Sequence, residues 1–476
     1  MISVGFVRPV HPVRLVRRVR LVRPISLAAL MALLSFRPET SLCATLSAVV
    51  EVEEAITTCA YPNNGAGPLW CYGAPLLVRH GDKVLASVME TGKDAPPLCN
   101  TRCRLFRRDE SGWKLIYSDA AFRQREPCPL GVFDDGRLFL SVNPSTQPPG
   151  TKYGACDPHL LRFAIKEPEK PAEPVRPVWA DRWTFTDHSY RGFGADGTRG
   201  ELLPLNIDSK TGRYFWSLRD KSGAWSRRGA IEFPIRACYP QVALKNSAAH
   251  VLAIGDIVEP VKEWRAYKYE KTQRDWDYVF RRLFYVWTPD IGRTDFSAPI
   301  ELDTVDATAG HITNLDLWID GAGAAHVLYL ETTIASPLMR DRFFPGKPIV
   351  TSLEHVVLKD GKVVERRTLL RGGDGAGSEI PSYARFHSAG NGRLYVVFLH
   401  SGRNADGQPL SENRILQVLP RPDEAQPVSL GLKEPFRTFF TATERGGSKP
   451  SRFLDLFGTG RDGTVLRYAR VRIDAE

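Results

Sequence analysis

Cysteine is absent from the second half of this 476-residue chain; all eight cysteines lie before residue 240. Any disulfide framework is therefore confined to the first half. The chain has no His-Glu-x-x-His and no Gly-x-Ser-x-Gly, which removes the zinc-protease and nucleophile-elbow signatures. The glycine-dense stretch 372–377 lacks the Lys and the following helix that a phosphate loop needs, so it reads as a flexible loop. After residue 36 no apolar run is long enough to suggest a membrane span.

Acidic residues are also missing from positions 1–24, which carry Arg8, Arg14, Arg17, Arg18, Arg20 and Arg23. The apolar run Ile25–Phe36 follows. It is short for a bilayer span and has the length of a signal-peptide core, and Leu42-Cys43-Ala44 offers a cleavage site. Residues 1–44 are therefore read as a signal peptide and the chain as exported, periplasmic or extracellular. A transit peptide and an uncleaved anchor are the alternatives. Seven Arg and one acid lie in this segment, so about +4 of the formal +10 charge belongs to residues 45–476. That mild excess does not support a nucleic-acid partner.

Seven cysteines remain beyond Cys43. In an exported chain they are expected to form disulfides, with at least one thiol left over. Cys99-x3-Cys103 has loose metal spacing but no accompanying His pair, so a disulfide or core packing is favoured over zinc. No cofactor is read from the sequence, which leaves a structural calcium ion undecided.

What is abundant is a repeated hairpin. Seven times a short apolar strand meets a Gly, Asn or Asp turn and runs back as a second strand. The turns centre near Gly81, Gly136, Gly197, Asn246, Gly323, Gly392 and Gly463, spaced 49 to 77 residues apart. These residue types tolerate the positive φ of tight hairpin turns. The spacing is that of propeller blades. The expected fold is all-β: a seven-bladed β-propeller over 45–476 with four-stranded antiparallel blades. The segment 44–56 is strand-like without a blade of its own, so it is expected to complete the seventh blade and close the ring.

In each blade the seven turns fit the connection between strands A and B, counted from the axis. Turns at 109–113, 220–225 and 359–362 fit C–D. Alternation of strand direction then puts tight turns on one face and long loops on the other, where binding residues concentrate. Two B–C insertions, 256–282 and 333–350, are read either as cleft walls or as extended hairpins shielding a blade edge. Pro-rich 166–177 is read as a surface loop.

The D–A connections enter beside the axis and are rich in Arg: Arg125, Arg191, Arg236, Arg385 and Arg452. Around them lie His188, Tyr190, Tyr239, His311, Asn314, Glu379 and Tyr383, and the first connection adds Asn63, Asn64, Trp70 and Tyr72. Arg at a mouth suits carboxylate or sulfate groups. His188, Tyr190, Tyr239 and His311 are the acid–base candidates. Asn64, Trp70, Tyr72, Arg125, Arg191, Arg236, Asn314, Tyr383, Arg385 and Arg452 are the candidate binding residues. Such a set fits β-elimination on a uronic acid: Arg offsets the carboxylate, one group takes the C5 proton, another protonates the leaving oxygen. Hydrolysis would need two carboxyl groups, for which Glu126, Glu379, Asp187 and Asp316 are the candidates. Each of these residues also has a structural reading, as a partner in inter-blade packing. His250 and His326 recur at the same repeat position, Ala-Ala-His-Val-Leu, and are read as structural.

The blade pattern, with segments such as NNGAGPLWCYGAP, RQREPCPLG, RACYPQVAL and GHITNLDLWIDG, resembles the sialidase-like, BNR-repeat class of propellers. It resembles most the exported bacterial propeller polysaccharide lyases and related glycosidases. Ser217–Trp225 is a degenerate echo of that class's Asp-box, and no Tyr–Glu pair of the sialidase type is matched. The resemblance implies a secreted carbohydrate-active propeller with an acidic polysaccharide or oligosaccharide as partner. Polysaccharide lyase activity leads; glycoside hydrolysis or non-catalytic glycan or protein binding are the alternatives.

Overall fold

The computed structural model describes residues 46–475 except 94–97, 168, 169, 171, 182, 391, 405 and 422–425. The expected signal segment 1–44 lies outside the described residues. Seven four-stranded antiparallel sheets form a seven-bladed propeller. Their inner strands are Leu77–His80, Leu130–Val132, Gly192–Asp196, Ala237–Lys245, His311–Ile319, Glu379–Ser388 and Thr438–Thr441. Each inner strand touches the next, and the seventh returns to the first. The second strand of blade 3, Glu201–Ile207, is buried along its whole length, as a strand packed on both faces by neighbouring blades must be.

Ring closure follows the expected route. Leu46–Thr58 pairs antiparallel with Val465–Ala475 as the outermost strand of blade 7. One blade is thus stitched from both ends of the propeller sequence, which leaves no open gap between first and last blades.

Six of the seven turns join A to B as the repeat implies; at Asn246–Ser247 both residues take positive φ, 53° and 65°. Blade 7 differs. Its inner strand has only four residues, and the turn at Gly463 joins the second strand, Phe453–Thr459, to the third. The true A–B connection is the long segment 442–452, on the tight-turn face. Arg452 belongs to it, exposed against the Phe453 ring, so it does not sit in a D–A connection as expected. Glu173–Val175, inside the Pro-rich stretch, is the outermost strand of blade 2.

The axis is filled. From the tight-turn face, 443–448 enters: Ala195 N–H donates to Arg445 O (2.8 Å) and Val132 N–H to Gly446 O (2.8 Å). The buried Arg445 guanidinium bonds Asp316 (2.7 Å) and the carbonyl of Gly73 (2.9 Å). Gly73 comes from the opposite face. A Cβ there would lie 2.5 Å from Tyr239 O, so only glycine fits this approach.

Among the described residues no disulfide is formed. All seven described cysteines are free thiols, six of them buried, so core packing accounts for them here.

Candidate functional site

The long-loop face carries a cavity of about 490 Å³ over blades 1–4. Its lining draws on three D–A connections (Asn63–Gly65 with Trp70, then Arg125, then His188 with Tyr190) and on Tyr239 of the fourth inner strand. Leu98, Lys152, Tyr153, Asp256, Trp276, Tyr278 and Phe280 come from B–C connections.

The insertion 256–282 supplies the outer wall. It folds as a two-stranded ribbon, Ile257–Val258 with Tyr278–Val279, around the helix Lys262–Thr272. No helix residue is buried, so the insertion is held at its base. There the buried Glu259 takes a bidentate pair from Arg281 (3.0 and 2.6 Å), and Lys268 bridges Glu259 and Asp277 (2.8 and 2.7 Å). Trp264 packs on Phe343 and Phe344 of the second insertion, whose helix is Pro337–Phe343. Both insertions are helical where the sequence reading offered cleft wall or hairpin, and the first does wall the cavity.

Within the cavity, Trp70, Tyr190 and Tyr239 form a contiguous aromatic cluster with ring centroids 5.1 to 5.7 Å apart. His188 stands 5.9 Å from Tyr190, and its Nδ1 lies 3.7 Å from Asp187. Burial, reinforced by the positive charges of Arg125 and Arg236, pushes His188 down to about 3. It is therefore neutral at physiological pH. Burial raises the Tyr190 phenol well above the ordinary tyrosine value, so it stays protonated. Arg236 lies between the Tyr190 and Tyr278 rings and pairs with Asp256 at 3.2 Å. Burial raises Asp256, with Arg236 opposing.

Four residues lining the cavity have positive φ without being glycine: Asn63 (49°), Leu98 (78°), Tyr190 (37°) and Tyr239 (50°). They are four of the ten such residues described. This conformation costs on the order of 1–3 kcal/mol for a bulky side chain and gathers at sites where geometry is imposed. Tyr239 sits in a register shift between Cys238 and Gln241, and blades 5 and 6 shift at the same level, between Asn314 and Asp316 and between Pro381 and Ala384.

The remaining expected residues are placed differently. Asn64 lines the cavity but its amide is spent on Leu98 O and Asn100 (both 2.9 Å). Arg125 lies over Trp70, with Nη1 on Asp187 at 3.0 Å. Arg191 is buried and clamps the carbonyls of Ser141 (2.7 Å), Pro127 (2.8 Å) and Glu126 (3.0 Å). Arg385 does the same near the axis, bonding Tyr72 O (2.6 Å), Phe439 O (3.2 Å), Leu315 O and the Tyr383 hydroxyl. The Tyr72 hydroxyl donates to Asn314, whose amide donates to Tyr239 O. Tyr72, Asn314, Tyr383 and Arg385 therefore build the floor beside the axis and lie outside the cavity lining. His311 stands behind Phe280, 5.8 Å away, lowered by burial and by Arg281. The structure also adds residues the sequence reading did not single out: Asp256, Trp276, Tyr278, Phe280, Lys152 and Tyr153.

The candidate carboxylates are engaged elsewhere. Glu126 bonds Ser189 and Cys71, Asp187 pairs with Arg125, Asp316 with Arg445, and Glu379 with Arg414 and His400. Among the described residues, Asp256 is the single carboxyl lining the cavity.

No family model and no curated protein matches the sequence. Solved propellers are similar in architecture. The polysaccharide lyase Uly1 superposes with a TM-score of 0.53 at 10% identity, over 89% of this chain and 99% of that one. An α-L-arabinanase of Penicillium chrysogenum gives 0.39 at 10% identity, over 89% and 98%. The N-terminal domain of Nup159 gives 0.41 at 9% identity, over 90% and 95%. At such identities the likeness concerns the fold alone.

Proposed function

We propose that this propeller is a polysaccharide lyase, cleaving an acidic polysaccharide by β-elimination at the cavity over blades 1–4. The observation that carries the reading is neutral His188 and protonated Tyr190 in the lining of one cavity, with Arg236 outside that lining but against the Tyr190 ring and hydroxyl, and one carboxyl among the described lining residues. Arg236 offsets the uronate carboxylate. With Nδ1 toward Asp187, Nε2 of His188 serves as the base for the C5 proton. Tyr190 gives its proton to the leaving glycosidic oxygen, and Arg236 beside its hydroxyl stabilises the phenolate. The C5–H and C4–O bonds break and a C4–C5 double bond forms; the proton gained by His188 and lost by Tyr190 is then re-equilibrated through solvent. Trp70 and Tyr239 offer apolar faces to the sugar ring. The architectural likeness to Uly1 supports this by class.

Hydrolysis is less well supported, because two free carboxyl groups are needed and the other acids are internally paired. The discriminating experiment is a screen of acidic polysaccharides with the purified protein. Ultraviolet absorbance of an unsaturated uronate supports elimination. New reducing ends without it would assign a hydrolase, and binding without either product would assign a glycan-binding module.

The Arg-rich and apolar segments in 1–36 support export as part of this reading. N-terminal sequencing of protein recovered outside the cytoplasm should begin near residue 44 or 45; an intact Met1 on cytoplasmic protein would overturn it.

A further inference from the structure

The cavity over blades 1–4 has an aromatic rim that the elimination chemistry does not use. Trp276 lines it and is 70% exposed; Tyr153 lines it and is 59% exposed. Among the described residues no large hydrophobic side chain is more exposed than Trp276. An indole kept in water at a cavity mouth contributes little to the fold, and its face is open to a ligand.

Both rings are carried by anchored backbone. Trp276 stacks on Tyr278, with centroids 4.4 Å apart and planes 30° apart. The Arg236 guanidinium lies 5.6 Å from the Tyr278 ring and 5.3 Å from the Tyr190 ring, so one stack runs from the candidate acid out to the rim. Asp277, between the two rim aromatics, accepts from Lys268 at 2.7 Å, and its carbonyl accepts from Glu259 N–H at 2.9 Å. Tyr153 and Lys152 come from the B–C connection of blade 2. There Gly154 N–H donates to Asp187 at 3.3 Å, the carboxylate that lies behind His188 and pairs with Arg125. A ring held in place before binding loses little freedom when a ligand arrives.

The rim also carries an uncompensated charge. Two of the described lining residues are cations, Arg125 and Lys152. Arg125 is neutralised by Asp187 at 3.0 Å, whereas the exposed Lys152 ammonium meets only the Tyr153 ring, 5.4 Å away. At about 490 Å³ the cavity lies at the small end of ligand sites, which run from roughly 300 to 1,000 Å³. A polymer seated in it continues over the rim.

We propose that Trp276 and Tyr153, with Lys152, form rim subsites that hold the sugar residues next to the one cleaved, and that one of those neighbours bears an anionic group, a carboxylate or a sulfate ester. The inference rests on the glycan reading of the cavity and adds to it a requirement for chain length and for a second negative charge. The two rings stack on apolar sugar faces and the ammonium takes the anion.

The test is affinity electrophoresis of the intact protein in the cold. One set of gels carries polygalacturonate or alginate, which bear carboxylates; others carry dextran sulfate, which bears sulfate esters, or neutral dextran. Retardation by an acidic polymer and not by dextran is expected; the polymer class that retards assigns the anion as carboxylate or sulfate. Trp276→Ala and Tyr153→Ala should each weaken binding roughly 3–10-fold, and Trp276→Phe should keep most of it. Lys152→Ala should weaken it by a similar factor and flatten its salt dependence, while Lys152→Arg keeps both. Tm should not change in any of these, because the side chains are exposed. Unchanged binding in any of the three alanine variants, or equal retardation by dextran, would overturn the proposal. Retardation by none of the polymers would overturn it together with the glycan reading. Selective weakening in the variants without any unsaturated product would support the rim and remove the lyase step alone.

Discussion

Arg236 lies across the face of Tyr190, 5.3 Å from its ring centroid, and its Nη2 also reaches the phenol oxygen at 3.3 Å. One guanidinium thus meets the ring as a cation on a π face and the hydroxyl as a donor. The contact disfavours a second cation in the same place and favours negative charge on the phenol oxygen when the proton departs. Tyr190 is held for this in an unusual backbone conformation, φ 37°, that its surroundings must impose.

Removing the hydroxyl should therefore cost turnover and little else. Tyr190→Phe and His188→Ala are each expected to lower kcat by roughly 10²–10⁴-fold, the usual share of a general acid or base. Arg236→Ala is expected to raise KM for a carboxylated substrate and also to lower kcat, because the departing proton then leaves a phenolate without its cation. Activity is read as unsaturated product and stability as Tm. Equal loss of folding in all three variants, with no selective kinetic effect, would assign these residues to structure.

The pH dependence of kcat/KM follows from His188. Its basic form persists down to about 3. Activity should not fall with an apparent pKa near 6.5 as it would for an unperturbed histidine base. A profile flat from pH 7 to pH 5 agrees; an acid limb at 6–6.5 that disappears in His188→Ala contradicts it.

Stability should respond to acid through other histidines. Burial pushes His250 and His387 down to about 4 and His355 to about 3. Each is neutral in the fold and gains a proton near 6.5 once unfolded. Between those values the unfolded chain binds more protons, so stability is full above about pH 6.5 and declines as pH falls toward 4. Within that window each contributes a slope of up to about 1.4 kcal/mol per pH unit. Urea midpoints between pH 7 and 5 should fall, and His387→Phe should fall less steeply. A midpoint independent of pH over that range would contradict the assignment.

The axial pair gives a separate test. Arg445 and Asp316 are both buried, and removing one leaves the other charged without its partner. Arg445→Ala should cost about 3–5 kcal/mol in urea unfolding. A change below about 1 kcal/mol would show that the segment 443–448 does not hold the channel.

What the sequence disclosed and what it hid divide along physical lines. The A–B turns were legible because Gly, Asn and Asp mark positive φ locally, without reference to the rest of the chain. Blade 7 was misread because its inner strand, Thr438–Thr441, is too short to show alternation and its A–B loop has no tight-turn signature, while the Gly463 turn has one. That misreading moved Arg452 to the wrong face. Arg191 directly precedes an inner strand as Arg236 does, and Arg385 proves to lie within one rather than in a D–A connection; both clamp carbonyls, and nothing in a linear sequence separates a guanidinium facing backbone from one facing a tyrosine ring. Asp256 follows the second strand of blade 4 directly and carried no mark of its own, whereas Trp276 and Tyr278 lay in an insertion already conspicuous for its aromatics.

The strand Leu46–Thr58 has its partner at Val465–Ala475, so during synthesis the first strand of the propeller waits for the last. Until then both edges are unpaired, and the connection that supplies Asn64 and Trp70 hangs from a strand with nothing to hold it. Deleting Val465–Ala475 would therefore leave every candidate catalytic side chain in the chain while taking from Leu46–Thr58 the strand it pairs with.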